Sequence, residues 1–227
     1  MHMAEEQGAG KDQRKLLFQQ GLENLIAGRL EEAHGNMSRY LALSEAEDDL
    51  ADQARGHFFL AMIYEQNAEP CMAAAQVEMG RDVAEGLISP WSHARLTSFL
   101  AHLWLKRGEL KEARAFQEEA MRKAGEAPGE GAGPCLGMIL LVDAEVKAII
   151  SDQEGGERSF RWSRETFLNS PWGEFYQAVA CCWYGETLIE AGRAAEGGER
   201  LEESAALFRK LGNGRQVERV ERLLAGK

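Results

Sequence analysis

Apolar residues return at three- and four-residue spacing along most of the chain, which is the period of a helix with one buried face. The first such stretch covers 12–27, with Leu16, Leu17, Leu22, Leu25 and Ile26 as its apolar set. Gly28 interrupts it, and Leu30, Ala33, Met37, Tyr40 and Leu41 then continue the stripe on a second helix. Ser44-Glu45-Ala46-Glu47 has the form of a capping box and predicts the start of a third helix, carrying Ala54, Phe58, Ala61 and Tyr64. Further helices are predicted at 70–87, 90–107, 109–125, 136–150, 155–167, 171–191 and 193–211. A last amphipathic stretch, 215–225, places Val217, Val220, Leu223 and Leu224 on one side. Pro70, Pro90 and Pro171 suit first helical turns, and Ser89 and Ser170 are expected to cap the helices that follow them.

One phrase recurs at the junctions. Gly28-Arg29-Leu30-Glu31-Glu32-Ala33 returns as Gly108-Glu109-Leu110-Lys111-Glu112-Ala113 and as Gly192-Arg193-Ala194-Ala195-Glu196-Gly197, with Ala68-Glu69-Pro70-Cys71-Met72-Ala73 between the first two. The starts 28, 68 and 108 are 40 apart, and 192 follows after two longer steps. Ser89-Pro90-Trp91 and Ser170-Pro171-Trp172 repeat at twice that interval. A fixed period of this size marks stacked helix pairs, each unable to bury its apolar face alone. The fold expected is all-α: a right-handed α-solenoid of about five helix-turn-helix pairs plus a C-terminal capping helix. Residues 12–227 form one superhelical domain in this reading, with a flexible glycine- and proline-bearing loop at 125–134 and a disordered polar tail at 1–11. Met1-His2-Met3 has the look of a cloning remnant, which points to a domain excised from a longer protein.

The pairs resemble the tetratricopeptide repeat (TPR) family. Leu60-Ala61 with Tyr64 and Ala73, and Leu100-Ala101 with Trp104, Ala113 and Ala120, follow its pattern of small and bulky residues. Tyr184-Gly185 with Leu188, Gly197, Leu201 and Ser204 follows it in modified form. Small residues at 61, 73, 101, 113, 185 and 197 let paired helices approach, while Tyr64, Trp104 and Leu188 fill the space between units. The step of 40 exceeds the family's usual repeat of about 34. This long variant is similar to the repeat domains of MalT-like bacterial regulators and signalling ATPases.

Composition narrows the chemistry. With 26 Lys and Arg against 37 Asp and Glu, the net charge is −11, which argues against direct nucleic-acid binding. No apolar run is long enough to span a bilayer, and a cytoplasmic location is expected. Cys71, Cys135, Cys181 and Cys182 lack C-x-x-C spacing and are read as reduced core residues. Gly8-Ala9-Gly10-Lys11 lacks the following Ser or Thr and the leading glycine of a phosphate loop. The five histidines show no H-E-x-x-H pattern and are read as surface or core-edge residues. No enzyme activity, metal or cofactor is expected.

The resemblance instead implies a groove lined by the first helix of each pair. The family's groove positions fall on Arg55, Phe58, Met62 and Glu65 in the second pair, on Arg95, Ser98, His102 and Lys106 in the third, and on Cys182, Glu186 and Ile189 in the fifth. The fourth pair has no fixed register from sequence. Arg55, Arg95 and Lys106 would hold carboxylates, and Phe58 and Met62 would add apolar contact. The function expected is non-enzymatic binding of a protein or peptide, or of a small effector, by the sensor or adaptor part of a bacterial signalling or transcription-regulatory protein. The alternative is an assembly scaffold that self-associates, as a homodimer or higher, through end or convex surfaces, with Trp91, Trp162 and Trp172 as contact residues.

Overall fold

The computed structural model of the chain describes residues 2–126 and 133–226, apart from the side chains of 2–10. Eleven helices and no strands occur among them. They are α1 (His2–Ile26), α2 (Leu30–Ala46), α3 (Leu50–Gln66), α4 (Pro70–Glu85), α5 (Trp91–Lys106), α6 (Leu110–Gly125), α7 (Gly133–Ile149), α8 (Gln153–Leu168), α9 (Gly173–Glu190), α10 (Ala194–Lys210) and α11 (Gly214–Ala225). These are five antiparallel pairs and a closing helix, so the helical-repeat solenoid is the observed architecture. By contact density the chain divides into two compact units, Met1–Ile88 and Ser89–Lys227.

The repeated phrase has a backbone cause. Five residues, Gly28, Ala68, Gly108, Ser151 and Gly192, have positive φ, one at each turn from a first helix to its partner. At Gly28 the amide donates to Leu25 O, and the next amide, of Arg29, donates to Asn24 O. The same two bonds recur at the other four turns. This is the Schellman arrangement, which satisfies the last carbonyls of a helix by turning one residue left-handed. The steps along the chain are 40, 40, 43 and 41. Ser151 therefore supplies the register of the fourth pair, hidden in the sequence because neither Gly nor the rest of the phrase is present.

In the first unit α1 packs on α2, α2 on α3, and α3 on α4. Its core includes Leu22, Leu25, Met37, Tyr40 and Phe58, all fully buried. Phe18 joins α1 to its neighbours through rings centred 5.3 Å from both Tyr40 and Phe59. Arg14, buried, bridges to Glu47, Asp49 and Asp52 at about 3 Å each and ties α1 to the start of α3.

In the second unit the first helices α5, α7 and α9 pack side by side, and α6, α8 and α10 each cover their own partner. Close approach is most pronounced in the last pair. A Cβ at Gly197 would lie 2.6 Å from the carbonyl oxygen of Gly185 and 2.7 Å from Ile189 Cγ1. Ala61, Ala73, Ala101 and Ala113 are likewise fully buried. α11 packs on α10, capped by Asn213, whose side chain accepts the Gln216 amide at 3.0 Å.

Several local expectations change. Ser44 opens no helix: α2 continues to Ala46, and the buried Ser44 hydroxyl donates to Tyr40 O within it. Asp49 caps α3 instead, accepting the Asp52 amide. The two Ser-Pro-Trp tripeptides are not equivalent. Pro90 precedes α5 directly, whereas Trp172 precedes α9 in a left-handed conformation, with neither serine acting as the cap. Cys71 is exposed rather than in the core. His57, His93 and His102 are buried, not surface residues. Helix α1 begins at His2, so the backbone of the polar stretch is helical before residue 12. Of the loop expected at 125–134, residues 127–132 lie outside the described residues, and its two ends are helical.

Candidate binding face of the first helices

In the first unit the four expected groove positions lie on α3. Phe58 and Met62 are fully buried, and Glu65 is nearly so. Their apolar surface is already spent on packing, with Phe58 edge-on to Phe59 at 5.2 Å. Arg55 alone presents substantial surface: its side chain is 46% exposed and donates to Asp52 at 2.7 Å. Its guanidinium also lies 5.5 Å from the centre of the Phe18 ring.

In the second unit Arg95 is buried and Ser98 faces its own partner helix. The Ser98 hydroxyl donates to Gln117 Oε1 at 2.8 Å, and the Gln117 amide donates to Ile139 O at 2.9 Å. These bonds join α5, α6 and α7. His102 lies between α7 and α9. Its Nδ1 is 2.9 and 3.1 Å from the two carboxylate oxygens of Glu145, within hydrogen-bond distance of both. Its ring stacks on Trp183 at 3.7 Å and 12°. Thr187 donates to Glu145 Oε1 at 3.1 Å. Both His102 and Glu145 have no exposed surface, so the cluster is closed to a dissolved substrate. It serves as a polar joint that fixes three helices in one register.

A second cluster reaches the surface. Glu186 on α9, itself buried, accepts from Lys106 on α5 and from Arg219 on α11 at 2.9 Å. The Cys182 thiol donates to it from one turn away, at 3.5 Å. Burial alone would raise the Glu186 carboxyl, but Arg219 and Lys106 hold it below the ordinary carboxylate value. The cations are 27% and 24% exposed on their side chains. Cys181 is chemically quiet, its thiol pushed up to about 12 by burial, with Glu203 adding to the effect. Ile189 is half-buried. Among the described residues, no three His, Cys, Asp or Glu side chains are grouped to hold a metal, and no helix is long and apolar enough to cross a membrane.

Sequence reasoning therefore found His102, Lys106 and Glu186 of these clusters, and missed Glu145, Trp183, Thr187 and Arg219. Glu145 carried a usable signal, one of three charged residues, with Asp143 and Lys147, in the mostly apolar run Met138–Ile150. Arg219 carried none, because pairing across 33 residues leaves no local trace.

No protein-family model matches the chain, and no curated protein matches it in sequence. Solved structures do match: the fold is similar to that of a Rap protein crystallised with Competence and Sporulation Factor, at a TM-score of 0.60 and 13% identity. The alignment covers 95% of this chain and 63% of that one, so the chain spans about 63% of the length of the Rap protein. At that identity the likeness concerns the fold. Paired helices, left-handed turns at near-constant steps and this structural match together show a TPR-like helical-repeat fold.

Proposed function

We propose that the chain is a non-enzymatic recognition module that binds a protein or peptide through the polar side of its first helices. The observation that carries this reading is the Lys106–Glu186–Arg219 cluster. There, two part-exposed cations from α5 and α11 converge on a carboxylate of α9. A ligand carboxylate can exchange with Glu186 for the exposed side of either cation, which is charge-assisted recognition at the mouth of a buried joint. Arg55 offers a second exposed guanidinium within the first unit. The residues that do the recognising are then the part-exposed cations Lys106 and Arg219 of the second unit and, separately in the first unit, Arg55. Phe58, Met62, Ser98 and His102 support them by packing. The fold's likeness to a Rap protein bound to a separate factor supports the choice of a sensor or adaptor within a bacterial signalling protein.

An arrayed library of peptides differing in acidic content, probed with the full chain, tests the reading. Acidic peptides should be retained, and Lys106→Ala should weaken retention by about tenfold, the scale of one lost charge-assisted contact. Equal retention of neutral and acidic peptides, or no effect of Lys106→Ala, would remove it.

A further inference from the structure

The outer side of the second unit carries a feature that the recognition reading does not use. On α8, Trp162 is 60% and Leu168 65% exposed. Arg161 and Glu165 flank them, both exposed and neither in an ion pair. Arg158, one turn before Arg161, is exposed on the same face, whereas the charges toward α10 are taken: Arg164 bridges to Glu203, and Arg200 to Glu157 and Glu203. Both guanidiniums also cover the Phe160 ring, at 5.8 and 5.2 Å. A cavity of about 380 Å³ opens between α8 and α10 beside Arg161, Glu165 and Leu168.

Arg161 and Glu165 are four residues apart on one helix, a spacing that usually permits a bridge. With the cation on the N-terminal side, that order is the weaker one, and the two side chains stay apart. Each is left with an unanswered charge, and the two are opposite. An antiparallel copy of the same helix, crossing near residue 163, would put Arg161 against the other Glu165 and Glu165 against the other Arg161. The same crossing would bring the two Trp162 rings together near the centre and lay the aliphatic stem of the other copy's exposed Arg158 over Leu168.

We infer that the exposed face of α8 is a two-fold interface at which a second copy of this chain docks, with reciprocal Arg161–Glu165 pairs around Trp162. Self-complementarity about a two-fold axis is what distinguishes such a surface from a site for an unrelated partner. The 16-residue helix is about 24 Å long, and two such faces bury on the order of 1,000 Å² in total, the low end for specific association. The dimer is therefore weak and concentration-dependent.

Sedimentation of the full chain over a range of concentrations tests this, with circular dichroism confirming that each variant is folded. The wild type should shift from monomer to dimer as concentration rises. Arg161→Glu alone and Glu165→Arg alone should each weaken dimerisation by about tenfold or more, because like charges then meet twice. An equimolar mixture of the two variants should recover it, since both cross-pairs are opposite again. A wild type that stays monomeric, a dimer indifferent to either variant, or a mixture that fails to recover would each overturn the inference. The outcome is independent of the peptide-binding reading, whose residues lie on α3, α5, α9 and α11.

Discussion

At the turn after each first helix, one residue is left-handed, and what occupies that place sets its cost. Gly28, Gly108 and Gly192 take positive φ without penalty, whereas Ala68 and Ser151 bring a Cβ into conflict with the backbone. Around Gly108 nothing lies within 4 Å of where a Cβ would be, so a substitution there reports backbone strain alone. Gly108→Ala should destabilise by about 1 kcal/mol, and Ala68→Gly should gain roughly 0.5 kcal/mol after the added freedom of the unfolded chain is deducted. Urea unfolding of the two variants measures both. Gly197 poses the opposite problem, of space. A methyl there meets the Gly185 carbonyl, which cannot rotate away. Gly197→Ala should lose about 1–3 kcal/mol by forcing α9 and α10 apart, read as a lower unfolding midpoint.

Among the elements, the last helix, α11, is tied down by ion pairs at two points, Arg209–Glu221 and Arg219–Glu186, beside its apolar face. It packs on α10, with Val220 fully buried, and reaches α9 through Arg219 and Glu186. The Glu186 carboxyl is held below its ordinary value of 4.5 in the folded chain. A depressed carboxyl contributes stability in full above the unfolded value and loses it as pH falls through the lower folded value. The protection of the amides over 214–225, taken relative to their intrinsic exchange rate at each pH, should therefore fall on acidification through that range while the α9 amides stay protected. Glu186→Gln should quicken α11 exchange several-fold at neutral pH and remove its acid dependence. Unchanged exchange would mean that apolar packing alone holds the helix. The fourth pair shows the reverse relation between element and sequence. Its helices were legible from apolar spacing at 136–150 and 155–167, but its register was not. The left-handed position at its turn holds Ser151, and no sequence pattern separates that serine from any other loop serine.

Across the molecule, the proposed association and the proposed recognition involve different residues of the second unit. Arg161 and Glu165 on the exposed α8 face make no ion pair with each other, while the cations on α5 and α11 surround an internal carboxylate. The peptide array and the sedimentation series therefore report on different residues and can succeed or fail independently. Much of the fold was readable beforehand: helix existence, pairing and count follow from a 3.6-residue stripe interrupted at a fixed step. The candidate site was readable only in part. Periodicity says which side of a helix faces inward, and the positions carried over to Phe58, Met62, Ser98 and His102 do face inward. Whether an inward position meets a ligand or the chain's own core depends on how closely the neighbouring helices approach: Trp183 and Glu145 fill that space at His102, and Phe59 packs against Phe58.

What the amino-acid order determined by itself was local: which stretches are helical, which faces are apolar, and that glycine or a tolerant substitute stands at the turns where the phrase recurs. Those are contests between neighbouring backbone groups and short-range burial, decided within a few residues. Tertiary structure alone decided that Glu145 belongs to His102 and that Arg219 reaches Glu186. It also left Arg161 and Glu165 without partners. Such pairings join residues 33 to 43 positions apart, or withhold a bond that spacing permits. Distance in space governs Coulomb energy and desolvation, and distance along the chain does not encode it.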